Sequence, residues 1–276
     1  MERRNFAQVL KEAKVDVHRE YDRLYTLFYL NKSYPLNNNM LSLHDYCACF
    51  FYGLPFRGTC ITLEDFDDYY GFTFEAVPSE FDLNYLLSFC EYSYNLAVYM
   101  NPVSWPILTS FSAYNPQPQL YVQQVMRVVD SIGYMITKQD DADDMSIVVA
   151  KSPAAIAVAE ISDAKLSYKV VEYNHYALKG NLTRKISILK ILADEIEPRR
   201  SELKTISGSI ENELFQMLQK FVRHNNKDNP VIASMSEEEI EAIYDDIYQM
   251  WLLAMLELDN IERKKHAKEL LRRING

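Results

Sequence analysis

From about Ser236 onward, Ile240, Ile243, Ile247, Trp251, Ala254, Leu258 and Ile261 recur at intervals of three or four residues. That period puts them on one face of an α-helix, and a helix with so long an apolar stripe has to bury it against partners. Ser236 and Glu239 form an S-x-x-E capping box at its start. The basic end, "ERKKHAKELLRR", complements the helix dipole and needs no nucleic acid to explain it. The chain reads as helical from residue 163 onward. Gly180 separates one helix from the next, and Pro198 ends or kinks the second. The third carries Leu203, Ile206, Ile210, Leu214, Met217 and Phe221. Such stripes, joined by short connections, predict an antiparallel helical bundle over residues 163–274.

The N-terminal half is aromatic. Phe6, Leu10, Val17, Tyr21, Leu24 and Phe28 predict a helix over residues 5–31, ended by the turn-forming "NKSYPLNNN". "LSLHDYCACFFYGLPFRG" reads as a short buried segment closed by Gly53 and Pro55, while "LEDFDDYYGFTFE" fits no single class. Residues 80–100 predict a helix with Phe81, Tyr85, Phe89, Tyr92 and Leu96 on one face. Four prolines in residues 101–118 (Pro102, Pro106, Pro116, Pro118) mark the best boundary. Beyond it, Leu120, Val125, Val128 and Ile132 predict a helix, and "GYMITKQDDADDMSIVVA" predicts a β-hairpin with an acidic turn. Ser152 and Pro153 then suit an N-cap and first helical position. The expected fold class is mainly α, with α+β character from one small hairpin. Three parts are expected: residues 1–115, aromatic and helical; 116–162, a helix plus the hairpin; and 163–276, the bundle. Seven glycines against twenty tyrosines and thirteen phenylalanines agree with helices packed through rings.

The net charge of −10 is unevenly spread. Residues 33–148 carry three basic and fourteen acidic side chains, whereas residues 149–276 carry nineteen and twenty. An acidic surface repels a polyanion, so nucleic-acid contact is expected only in the C-terminal part. "MERRNFAQVLKEAK" lacks the apolar core of a signal peptide, and no apolar run approaches the roughly 20 residues that span a bilayer. The expectation is a soluble, cytoplasmic protein with no membrane partner. Four cysteines do not suggest a disulfide framework, which fits a reducing compartment. No glycine-rich phosphate loop or nucleophile motif supports a small-molecule enzyme, and no cofactor is expected.

His44, Cys47, Cys49 and Cys60 would be a zinc set, but C-x-C without a second C-x-x-C, in so apolar a segment, reads better as core. Asp140–Asp144, "DDADD", lacks the ligand order of a calcium loop and reads as a solvated turn. No metal is expected. On a helix, Glu172, His175 and Tyr176 of "VVEYNHYALKGNLTRK" would share a face, with Lys179 a turn beyond. That face is either solvated or the polar wall of a cleft. In "FVRHNN", an apolar stripe continued past Phe221 would reach His224 or Asn225, with Arg223 about 100° away. Arginine beside histidine suits metal-free RNA cleavage: the guanidinium neutralises the phosphate, and the imidazole moves protons. A polar helix end with asparagine in a left-handed cap accounts for the same residues.

The segments "YNHYALKGNLTRKISILKILADEIEP", "FVRHNN" and "YDDIYQMWLLAMLELDNIE" resemble the HEPN superfamily, in particular its bacterial abortive-infection branch. The resemblance implies a helical bundle that dimerises and acts as a metal-independent ribonuclease. Its motif is arginine, then a polar residue, then histidine four to six residues on. Arg223 and His224 match the first two positions, but Asp228, Asn229 and Pro230 stand where the histidine belongs. Three outcomes follow: His224 substitutes, His175 is supplied from another helix, or nothing is cleaved. In the first two, Arg223, His224 and His175 would be catalytic, with Asn225, Asn226, Lys179 and Lys185 holding RNA. The implied function is an RNA-cleaving effector of antiphage defence. The alternative is a non-catalytic interaction and dimerisation module regulating a partner defence protein. The catalytic reading expects Arg223 and His224 to share a cleft with the polar side of a 170–179 helix, near His175 or Glu172.

Overall fold

A computed structural model describes residues 15–36, 38–72, 78, 81–100, 118–138, 145–223 and 230–275. The chain divides into two compact units, residues 1–148 and 149–276. This division falls at neither 115/116 nor 162/163, where the sequence suggested breaks. The helix and strand after the proline-rich segment pack together, the helix also packs on the one before that segment, and the helix at residue 153 packs on later helices.

In the first unit, the Asp16 carboxylate accepts the Arg19 N–H and caps α1 (Val17–Tyr25), which widens into a π-turn at Thr26–Leu30. The predicted residues 5–14 of this helix lie outside the described residues. "NKSYPLNNN" does more than end it. Its β1 (Tyr34–Leu36) pairs antiparallel with β2 (Asn39–Leu41), which begins at the segment's last residue, Tyr34 opposite Leu41, through a turn with Asn38 at φ 66°. Asparagine tolerates that left-handed conformation, which is costly for most residues. The segment then forms α2 (Leu43–Phe50), capped by Ser42, and the unclassified acidic stretch forms α3 (Leu63–Tyr70). A reciprocal capping box of Thr62 and Asp65 starts α3, and Gly71 at φ 71° stops it. These local devices specify a helix even where charge and aromatics obscure the period.

The 80–100 helix is α4 (Leu83–Tyr99), followed by α5 (Pro118–Ser131) and the hairpin strands β3 (Tyr134–Lys138) and β4 (Ser146–Ala150). Pro102, Pro106, Pro116 and Asp140–Asp144 lie outside the described residues. The core is built of rings: Phe28 meets Phe89, Tyr92 and Tyr121 at centroid distances of 5.9, 6.1 and 5.3 Å. Helix α4 also binds the start of β4 through its side chains. Asn95 Nδ2 donates to Ser146 O (2.8 Å), Ser146 N donates back to Asn95 Oδ1 (2.7 Å), and Val148 N donates to Glu91 Oε2 (2.7 Å). Buried polar groups are thereby satisfied where a third strand would otherwise be needed.

Beyond the end of β4, the described residues of the second unit are mainly helical: α6 (Pro153–Ile161), α7 (Ala164–Glu172), α8 (Leu182–Ile196), α9 (Arg200–Ile206), α10 (Gly208–Met217), a π-turn at Leu218–Arg223, α11 (Pro230–Ala233) and α12 (Glu237–Asn275). Ser152 caps α6 with Pro153 in the first turn, Gly180 turns at φ 78°, and Ser236 and Glu239 exchange hydrogen bonds at the start of α12. Trp251 carries the core, buried and donating from Nε1 to Leu192 O at 2.8 Å. Tyr248 donates to Val170 O at 2.6 Å and stacks on Tyr173 with ring centroids 4.1 Å apart.

The bundle is not uniformly antiparallel. Contacts pair Lys185 with Glu241 and Asp245, Leu192 with Trp251, and Arg199 with Glu262, so α8 and α12 run in the same direction. The chain between them returns along α8 through α10 and the π-turn: Glu211 meets Arg200, and Arg223 meets Asp194. Among the described residues no helix is long and apolar enough to cross a membrane.

Candidate functional site

Arg223 lies at the foot of α8. Pro198 lies just beyond the end of α8, and the last carbonyls of a helix lack intrahelical donors. Arg223 Nη2 donates at 3.3 Å to Ala193 O in the last turn of α8, an oxygen that also accepts the Glu197 N–H. The same nitrogen is 3.6 Å from Asp194 Oδ1, and Nη1 is 2.5 Å from Glu197 Oε2. Two carboxylates at the negative end of a helix are unfavourable, and the guanidinium offsets them. Its side chain remains 31% exposed. Beside it lies a cleft of about 230 Å³ lined by Arg200, Gln216, Gln219, Lys220 and Arg223. Arg200 lies over the Phe215 ring at 4.5 Å and bonds Glu211 at 2.6 Å. Three cations thus share one small cleft, two of them already ion-paired.

A second polar cluster surrounds the N-terminal end of α8. Buried Glu172 accepts from Lys169 Nζ at 2.7 Å and from the Arg184 guanidinium. Buried Lys185 donates to Glu241 at 2.8 Å and Asp245 at 2.6 Å, while Tyr173 OH donates to Asp245 at 3.0 Å. Gly180 N donates to Glu241 at 2.8 Å. Burial pushes the Glu241 carboxyl up, but Lys185, the Gly180 N–H and Lys179 outweigh it and hold the group below its ordinary value.

The expected 170–179 helix is not formed. Helix α7 ends at Glu172. His175 is extended (φ −66°, ψ 133°) and bridges Val149 across an antiparallel pair, and Tyr176–Leu178 make a single tight turn. Glu172, His175 and Tyr176 therefore do not share a helical face, because the backbone is diverted to pair with the chain at Val149. Arg184 and Asp194, the anchors of the two clusters, are ten residues apart on α8, about 15 Å along its axis. The structure thus separates Arg223 from Glu172 and from the adjoining His175. The inward positions before Arg223 are Leu214, Leu218 and Val222, with Phe221 half-buried. The π-turn moves the stripe off the Met217–Phe221 pattern by one residue. His224, Asn225 and Asn226 lie outside the described residues. Lys179 is exposed, and Lys185 is committed to its two carboxylates.

One buried network was not anticipated. His44 Nε2 lies 3.0 Å from Asp67 Oδ2, and Tyr92 OH donates to the other oxygen of the same wholly buried carboxylate. His44 thus has a carboxylate partner, and Cys47 packs in the core with its thiol pushed up by burial and by Asp67. Cys49 is exposed, its thiol raised by burial and by Asp45. Among the described residues no group of three or more histidine, cysteine, aspartate or glutamate side chains is placed to hold a metal ion. The only sequence hint was the acidic run before "YYGF", whose buried member, Asp67, needed a partner. Compared with known proteins, the chain matches no family model, no curated protein and no solved structure.

Proposed function

We propose that the second unit is a non-catalytic, HEPN-like helical module that works by association, with a second copy of the chain or a partner defence protein. One observation supports this above all others. Arg223, the residue that would neutralise a scissile phosphate, is already ion-paired with Glu197, lies 3.6 Å from Asp194 and donates to Ala193 O in the last turn of α8. An RNA phosphate would have to compete with these carboxylates for the guanidinium. The distal part of α12 supplies a face for association: Leu270, Leu271 and Ile274 are 41%, 57% and 76% exposed. The defence context rests on the HEPN resemblance alone.

A second reading, a metal-independent ribonuclease, draws on the cleft where Arg200, Lys220 and Arg223 converge. Its volume suits a phosphate group better than a base, since small-molecule pockets usually exceed about 300 Å³. One experiment separates the two. Wild type, Arg223→Ala and His224→Ala are incubated with total RNA in EDTA, and 2′,3′-cyclic phosphate ends are sought. Association predicts no cleavage by any of the three and a sedimenting species heavier than the monomer. Cleavage by wild type that falls on the order of 10²-fold in Arg223→Ala would instead establish the catalytic reading.

A further inference from the structure

The first unit contains a cleft of about 670 Å³, within the range of small-molecule sites. The C-terminal part of the first helical segment supplies Tyr25 and Tyr29, and the turn after α2 supplies Phe51 and Tyr52. Asp45 and Glu64, in the first turns of α2 and α3, add two carboxylates; among the described residues no lysine or arginine belongs to the lining, and Arg57 sits outside it on the Tyr52 ring. We propose that this cleft binds an organic cation, a protonated amine or guanidinium, between aromatic faces and the two carboxylates.

Three observations favour a cation over an anion or a neutral ligand. Aromatic faces attract cations through the ring quadrupole. The structure already shows one case at the rim, where the Arg57 guanidinium lies 4.9 Å from the Tyr52 ring centroid. Second, several of the N–H groups at the starts of α2 and α3 that could hold an anion are already bonded within the protein. Asp45 N donates to Ser42, Asp65 N donates to Thr62, and the N–H groups of Ile61 and Thr62 donate to Asp65. Third, residues 33–148, which hold every lining residue outside α1 and its π-turn, carry three basic against fourteen acidic side chains. That imbalance draws cations toward the site. His44, with 9% of its side chain exposed, forms part of the wall, and its Asp67 bond fixes the ring orientation.

The test uses the full chain and calorimetric titration with phenethylammonium, its neutral analogue 2-phenylethanol, and inorganic phosphate. Asp45 and Glu64 are exposed, so Asp45→Asn with Glu64→Gln should leave the fold intact, which a thermal melt checks. The expected result is saturable binding of phenethylammonium, with the alcohol and the double variant each weaker by roughly tenfold. Tyr52→Ala, at a ring already 77% exposed, should also weaken the amine. Equal affinity for amine and alcohol, unchanged affinity in the double variant, preference for phosphate, or no saturable binding of the amine would each overturn the proposal.

Discussion

A charged side chain has its role decided by what lies within a few ångströms of it. Arg223 next to His224 suggests phosphate chemistry in the sequence, but the same guanidinium at the end of α8 is a second donor to Ala193 O and a counter-ion for Glu197 and Asp194. Arg223→Ala should therefore destabilise the protein by about 1–3 kcal/mol in urea unfolding, through a lost charge-assisted bond and two unopposed carboxylates. Lys185 is the stronger case because its side chain is only 7% exposed. Lys185→Met should cost about 2–4 kcal/mol at neutral pH, since it leaves Glu241 and Asp245 facing each other without a cation. The same pair carries a pH signature. The folded state holds the Glu241 carboxyl below its ordinary value of 4.5, so its contribution is complete above that value. It is lost as the pH falls through the depressed folded-state value. Wild type should thus lose stability in acid below about pH 4.5, and Lys185→Met should lose less over the same range. Equal acid sensitivity in the two proteins would refute this assignment.

At the scale of elements, connections decide as much as stripes. Glycine at φ 78° lets Gly180 turn the chain into α8, and a Cβ there would meet nothing within 4 Å. The cost of Gly180→Ala is then backbone strain alone, about 1 kcal/mol, measurable as a shift in the urea midpoint with unchanged slope. The π-turn at Leu218–Arg223 is the other decisive connection. By shifting the register it makes Leu218 and Val222 the buried residues and leaves Phe221 half-exposed. In α12 the stripe is buried only from Ile247 to Leu258, and residues 262–274 are exposed. Ending the chain after Ile261 removes the Arg199–Glu262 and Arg263–Asp259 pairs and, among the described residues, no buried one. Surface ion pairs contribute at most about 1 kcal/mol, so thermal stability should barely change. If the distal helix is the associating face, the truncated chain should sediment as a monomer at concentrations where the full chain does not.

For the whole molecule, each unit has a core of its own kind. The second is aliphatic around Trp251, with Leu192, Leu203, Leu214, Ile247 and Leu258 fully buried. A unit with its own core can fold alone. Residues 149–276 expressed separately should give a helical spectrum and one cooperative unfolding transition. A non-cooperative melt would mean that the two units depend on each other.

The sequence by itself determined the helical class, the caps at Ser152 and Ser236, the hairpin strands and the stripes of the second unit. Each of these follows from local chemistry: side-chain period, N-cap oxygens and turn residues act over a few positions. Only the tertiary structure decided the parallel course of α8 and α12, the diversion of His175 into a bridge with Val149, and the meeting of His44 with Asp67 across 23 residues. These depend on which partners the packed chain brings together. A residue's type and spacing do not contain that information, because one arginine or histidine has the same local sequence whether its neighbour is a carboxylate, a carbonyl or water.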